Sequence, residues 1–105
     1  MGLLIVMIWF SILAKYAIAD EPSVQHAISG VLQAKKKWEQ IPWHMRLNIF
    51  RKAAYLLQHK YFIEATAVVM EDFSKNPYEA MIDVVELIDF WNFNPYYASE
   101  IYQEQ

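Results

Sequence analysis

Cysteine is absent from this 105-residue sequence, and glycine occurs only twice, as Gly2 and Gly30. Without cysteine there is no disulfide, no thiolate metal ligand and no thiol nucleophile. A phosphate-cradling loop or a dinucleotide-binding fingerprint needs several glycines at fixed spacing, so these residues contain neither motif. The composition therefore excludes the common nucleotide-holding loops and thiolate catalysis from this stretch of chain.

Basic residues are also in short supply. Lysine and arginine number 9 against 12 aspartates and glutamates, and the net charge is −3. Phosphate recognition needs a concentrated basic face, so we do not expect nucleic acid as a partner. The one basic run is Lys35-Lys36-Lys37, which the sequence places in the last turn of a helix, where cations complement the helix dipole. We interpret it as a solvated helix end, the alternative being an anionic-lipid or nucleic-acid patch.

Apolar residues, in contrast, are abundant, at 56% of the chain, with aromatics at 16%. The length allows at most one domain with a small core. So much apolar material on a short chain predicts exposed apolar surface, as in a helical layer taken from a larger protein.

Residues 1–14 form an apolar N-terminal segment that is too short to span a bilayer as a helix, which needs about 20 residues. The length suits the hydrophobic part of a signal peptide, and Ala17-Ile18-Ala19 offers a cleavage pattern, but no positive charge precedes the run. The alternatives are a membrane-seeking segment, which would bring membrane contact, and a buried strand.

The remaining residues predict an all-α fold of four to five amphipathic helices. Asp20-Glu21-Pro22-Ser23 is a helix start, because a carboxylate can cap the helix and proline suits its first turn. The later helices are expected at residues 42–60, 62–73 and 77–93, with a kink or end at Asn94-Pro95 and a last short helix at 96–102.

Apolar spacing predicts which side of each helix faces inward. For the second helix these residues are Trp43, Leu47, Phe50, Ala54, Leu57 and Tyr61, widened by Ile49, Ala53 and Leu56. For the third helix they are Ile63, Ala67, Met70 and Phe73. For the fourth they are Ile82, Val85, Ile88 and Trp91.

No group of residues predicts a catalytic, cofactor-binding or metal site. His26, His44 and His59 are too far apart in the predicted helices to share a metal. Glu79, Asp83 and Glu86 share a helix face, which we expect to be solvated rather than to form an acid–base pair.

A cluster of aromatic residues occupies the end of the fourth helix: Phe90, Trp91, Phe93, Tyr96 and Tyr97. It could form a ligand-binding box. Because aromatic residues at helical spacing more often form a core or an interface, we expect the cluster to do so here.

Residues 15–105 resemble the N-terminal helical region of the delta-1-pyrroline-5-carboxylate dehydrogenases, which belong to the aldehyde dehydrogenase superfamily. Several blocks in order along the chain carry the resemblance. They are Ala14-Lys15-Tyr16, His26-Ala27-Ile28, Leu32-Gln33-Ala34-Lys35-Lys36-Lys37-Trp38-Glu39, Pro42, Lys52-Ala53-Ala54, Lys75-Asn76, Ile82-Asp83, Glu86-Leu87-Ile88-Asp89-Phe90 and Phe93-Asn94. Residues 1–13 do not resemble the N-terminal sequence of the family, and we divide the chain into an apolar segment, 1–14, and a helical region, 15–105.

The resemblance implies NAD-dependent oxidation of L-glutamate γ-semialdehyde to glutamate by a homo-oligomer in the mitochondrial matrix. It also implies that the family's catalytic cysteine, general base and cofactor loops correspond to nothing in these residues. We therefore expect no cofactor in this chain, although the family uses NAD, and no catalytic activity of the chain alone. The expected partners are a full-length aldehyde dehydrogenase or a second copy, contacted through apolar helix faces.

The sequence departs from the family pattern in several places. Ser74 replaces a glycine at a helix break, and Met81 replaces a glutamate that lies toward the substrate in the family. One residue is missing after Asp83, which rotates the rest of the helix by about 100°. Pro95 stands where relatives continue the helix. The chain then resembles a truncated or decayed copy, or an incomplete gene model. The alternative is a small membrane-associated or secreted helical interaction protein. A further alternative is that the chain does not fold alone.

Overall fold

The computed structural model describes residues 3–8 and 11–105, and it describes the side chains of Ile12 and of residues 14–105. The chain forms two units, Met1–Ile41 and Pro42–Gln105.

The first unit begins with an antiparallel hairpin of strands β1 (Leu3–Ile8) and β2 (Ser11–Ala17). Leu3 pairs with Ala17 and Ile8 with Ser11, and the register shifts between Val6 and Met7. Of the two interpretations of residues 1–14, the structure shows strands, while residues 1, 2, 9 and 10 lie outside the described residues. The second strand was not predicted from the sequence.

Helix α1 (Glu21–Gln40) begins where the sequence predicts. Asp20 caps it by accepting a hydrogen bond from the Ser23 amide at 3.0 Å, and Pro22 lies in the first turn. The helix ends before Ile41, whose backbone is extended because the proline at position 42 disfavours a helical conformation in the residue before it. Lys35, Lys36 and Lys37 are exposed, as expected for a solvated helix end.

The second unit contains three helices, α2 (Trp43–His59), α3 (Phe62–Phe73) and α4 (Pro77–Glu104). Their starts agree with the sequence to within a residue. α4 begins with a capping box: the Asn76 side chain accepts from the Glu79 amide, and the Glu79 carboxylate accepts from the Asn76 amide. Together with α1, these helices confirm the all-α prediction for most of the chain.

The core of this unit lies where α4 crosses α2 and α3. Ala54 of α2 packs with Val84 and Ile88 of α4, and side chains of α3 close the cluster. Ala80 is fully buried and Ala54 is only 1% exposed, so small residues allow the helices to approach closely at these points. The core is small, and many large apolar side chains of the unit remain exposed.

All three predicted inward faces are wrong in part. On α2, Leu47, Ala54 and Leu57 do pack inward, whereas Ile49, Phe50 and Tyr61 are 51%, 42% and 42% exposed.

On α3 the residues that face the core are Phe62, Ala65 and Val69, whereas Ile63 is 82% exposed and Phe73 is also exposed. Because α3 has apolar residues on every side, periodicity alone could not select the buried face.

On α4 the predicted Ile88 and Trp91 do pack inward, but Ile82 and Val85 are exposed. The buried residues instead form an inner stripe that is defined by Ala80, Val84, Ile88, Trp91 and Pro95.

Helix α4 continues through Pro95 to Glu104, so the predicted break and separate fifth helix are wrong. Proline cannot donate a hydrogen bond to the carbonyl of Trp91, one turn earlier. Its ring, however, is buried in the inner stripe, beside Leu47 and Phe50 of α2. Packing of the whole inner stripe of α4 against the neighbouring helices therefore outweighs the local preference of proline to end the helix.

Among the residues that the structure describes, no helix combines the length and the apolar character needed to cross a membrane.

Candidate functional site

The side of α4 that faces away from the core carries a second line of large side chains. Ile82, Glu86, Phe90, Phe93 and Tyr97 follow each other at three- or four-residue spacing, which places them on one helical face opposite the inner stripe. We call this line the outer face of α4. Phe90, Phe93 and Tyr97 are 60%, 56% and 57% exposed. The predicted aromatic cluster is therefore not core within this unit, apart from Trp91.

A shallow groove of about 500 Å³ runs along the outer face of α4. It is lined by Glu86, Asp89, Phe90, Phe93, Asn94 and Tyr97. Two carboxylates thus lie beside three aromatic rings. Such a mixture of aromatic centre and charged edge is typical of protein interfaces rather than of small-molecule sites.

A smaller cleft of about 370 Å³ separates α2 from α4 on the neighbouring side. It is lined mainly by apolar residues: Leu47, Phe50, Phe90, Trp91, Asn94, Pro95 and Ala98. Phe90 and Asn94 line both the cleft and the groove, so the two are continuous. In the sequence, the aromatic cluster was the signal for this region. The helical spacing of positions 82, 86, 90, 93 and 97 could have identified the outer face of α4.

The predicted carboxylate line does not act as a unit. Glu79 is used in the capping box, and Asp83 forms a salt bridge with Lys75. Of these three carboxylates, Glu86 is the one that lines the groove on the outer face of α4. Because the three carboxylates have different partners, the geometry does not bring two of them together for acid–base catalysis.

Each of two histidines packs against an aromatic ring. His44 meets the edge of Trp43, with ring centroids 5.8 Å apart, and His59 lies 4.4 Å from the ring of Tyr55. His26 is exposed on α1. Over the described part of the chain, no group of three or more histidines and carboxylates is placed to hold a metal ion.

The first turn of α2 is held to the last turn of α4 by a polar and aromatic cluster that sequence reasoning missed. Trp43 stacks on Tyr102 with ring centroids 5.4 Å apart, and the Arg46 guanidinium lies over the same tyrosine ring. Arg46 Nη2 also donates to Tyr102 Oη at 3.4 Å. These residues are 56 or more positions apart in sequence, so spacing could not reveal the contact.

The corner between α3 and α4 contains strained backbone. Ser74 has φ 53° and ψ 36°, a left-handed conformation that glycine adopts without cost. The family resemblance predicts glycine at this position. Lys75 then pairs with Asp83, in the second turn of α4, and lies over the Phe73 ring.

Among the residues that the structure describes, two titratable groups, Asp20 and Tyr96, have shifted pKa values. The hydroxyl and amide of Ser23 donate to Asp20 and lower the pKa of that carboxyl below its ordinary 3.8. The carboxylate of Glu100 accepts a hydrogen bond from the Tyr96 hydroxyl. This contact raises the pKa of Tyr96 above the ordinary 10.0. Both shifts come from local capping or i, i+4 contacts, and neither points to a reaction centre.

Comparison with known proteins agrees with the resemblance inferred from the sequence. The aldehyde dehydrogenase family model matches residues 10–105. The probable delta-1-pyrroline-5-carboxylate dehydrogenase of Schizosaccharomyces pombe is 42% identical over 95 residues, which are 90% of this chain and 17% of that protein. The mitochondrial delta-1-pyrroline-5-carboxylate dehydrogenases of Emericella nidulans and Homo sapiens are each 39% identical over 93 residues, 88% of this chain and 16% of each protein.

No solved structure matches the chain. The chain spans about one sixth of the length of the curated relatives it matches. Because the family model covers nearly all of the 105 residues, this chain belongs to the aldehyde dehydrogenase family.

Proposed function

We propose that these 105 residues are a helical scaffold element of a dehydrogenase that oxidises L-glutamate γ-semialdehyde to glutamate with NAD, and that they have no activity alone. The observation that carries the proposal is the identity of about 40% to delta-1-pyrroline-5-carboxylate dehydrogenases across the helical region. The absence of cysteine supports the lack of activity, since the resemblance implies a cysteine nucleophile.

The outer face of α3 supports a scaffold role. Ile63, Ala67 and Met70 line a shallow depression of about 190 Å³ that is almost wholly apolar, and Ile63 is 82% exposed. An apolar surface without charges resembles the interior of a domain more than a reversible interface. We therefore propose that the rest of an aldehyde dehydrogenase fold covers this face, supplied by the same chain or by a full-length partner.

We also propose the mitochondrial matrix as the compartment. The proposal rests on relatives that are named as mitochondrial, among them those of Emericella nidulans, Dictyostelium discoideum and Bos taurus.

The test of the proposed function is an activity assay of the purified 105-residue chain. NAD reduction with L-glutamate γ-semialdehyde is expected to equal the rate without protein, and a full-length dehydrogenase in the same buffer supplies the positive control. Far-ultraviolet circular dichroism must show the helices, so that inactivity does not reflect unfolding. Turnover above background that scales with protein concentration would overturn the proposal.

A further inference from the structure

We propose that the outer face of α4 is a docking surface for α2 of a second copy of this chain. The proposal concerns only residues 42–105 and does not depend on the lack of catalysis. It starts from the charge distribution. α4 contains six carboxylates and no lysine or arginine, whereas α2 contains three lysines and arginines and no carboxylate.

The exposed side of α2 matches the outer face of α4 in length and in apolar character. Met45, Ile49, Lys52, Leu56 and His59 follow helical spacing on the side away from the core, and we call them the outer face of α2. Met45 and Ile49 are about half exposed, at 53% and 51%. This face is about 21 Å long, and the outer face of α4 is about 22 Å long, at 1.5 Å per residue.

The charges beside these two faces are available for pairing between copies. Glu86 and Asp89 line the groove on α4. On α2, Lys52 is exposed on the outer face, and Arg51 is exposed on the flank of the helix, where it donates to Asn48 Oδ1 at 3.3 Å. In the part of the chain that the structure describes, the salt bridges are Lys35–Glu39 and Lys75–Asp83, which involve none of these four residues. Opposite charges at the edge of an apolar contact fix its register and exclude like-charged partners. Pairing of α4 with α4 is disfavoured for the same reason.

The geometry of the unit determines the kind of assembly. α2 and α4 contact each other through Ala54, Val84 and Ile88, so their outer faces lie on opposite sides of the unit. A copy docked on α4 then presents its own α4 to the next copy. Such a head-to-tail contact leaves one face open at each end of a dimer, so association continues beyond the dimer, into a ring or an open chain.

Sedimentation velocity and light scattering of the 105-residue chain test this arrangement. We expect the average mass to rise with protein concentration without a plateau at the dimer, and to fall at high salt, which screens exposed charges. Glu86→Lys/Asp89→Lys makes both faces basic, and Arg51→Glu/Lys52→Glu makes both faces acidic. Each variant alone is expected to associate at least tenfold more weakly, and an equimolar mixture of the two is expected to restore association.

The matched control is Glu64→Lys/Glu71→Lys, which adds the same charge to α3 and should leave association unchanged. Circular dichroism verifies that each variant is helical, and Glu86→Gln/Asp89→Asn provides a milder substitution if charge reversal disturbs folding. A monomer over the whole concentration range would overturn the proposal. So would a closed dimer, or association that neither salt nor these substitutions change, since uncharged apolar aggregation would give that result.

Discussion

Replacing Ser74 with glycine is expected to stabilise the second unit. Ser74 ends α3 in a left-handed conformation, with φ 53° and ψ 36°. That conformation brings the Cβ of an L-residue close to the following carbonyl oxygen, a steric conflict that glycine lacks. Among the described residues it is the one non-glycine position with positive φ. The substitution therefore removes strain without changing any helix.

The expected magnitude follows from two opposing effects. A left-handed conformation costs an L-residue about 1–2 kcal/mol. Glycine, however, gives the unfolded chain more freedom, which lowers stability by about 0.4–1 kcal/mol. We expect a net gain of about 0.5–1 kcal/mol in the free energy of unfolding. For a unit of this size the gain corresponds to a rise in Tm of about 3–6 °C.

Urea unfolding followed by circular dichroism measures this difference. Ser74→Ala keeps the Cβ and should show no gain, which separates relief of strain from loss of the hydroxyl. Ala67→Gly, on the exposed side of α3, should lower stability by about 1 kcal/mol, because glycine weakens a helix interior. If Ser74→Gly and Ser74→Ala unfold at the same urea concentration, the left-handed strain does not limit stability and the reasoning is refuted.

Three further predictions concern the core and the helix ends. Ala80→Leu should destabilise the unit by about 1–3 kcal/mol in urea unfolding, because Ala80 is fully buried between helices, while Ala67→Leu at an exposed site should change little. Pro95→Ala should raise stability by roughly 1 kcal/mol in the same assay, since the regained hydrogen bond to the Trp91 carbonyl exceeds the lost ring burial. The lowered pKa of Asp20 stabilises α1 above pH 3.8, and this contribution is lost as the pH falls further. NMR shifts of α1 should show that loss, and Asp20→Asn should remove the pH dependence.

The sequence predicted the ends of the helices better than their faces. Helix starts depend on local chemistry, as at Asp20 and Asn76, where a capping side chain precedes a proline. The end of α3 was also readable, since Ser74 begins a polar break. These signals act within three or four residues, and the structure agrees with them almost residue by residue.

The faces depend instead on which neighbour a helix meets, and that information is not local. α3 offers apolar residues in every direction, so Phe62, Ala65 and Val69 are selected only by the position of α4. Likewise, the stacking of Trp43 on Tyr102 joins the two ends of the unit. The continuation of α4 through Pro95 also depends on tertiary neighbours, because packing overrides the local preference of proline to end a helix.

The candidate site lies on α4, where apolar residues on two sides also prevented the sequence from selecting the buried face. The prediction placed Ile82 and Ile88 on one face, yet Ile88 belongs to the inner stripe and Ile82 to the outer face. A helix with apolar residues on two opposite sides fits between two layers. α2 and α3 supply only one of those layers, and the side left open is the one edged by Glu86 and Asp89. The open side of α4 is therefore acidic as well as apolar. A basic amphipathic helix would cover its apolar side chains and pair with its carboxylates, whereas a purely apolar helix would leave the carboxylates unpaired.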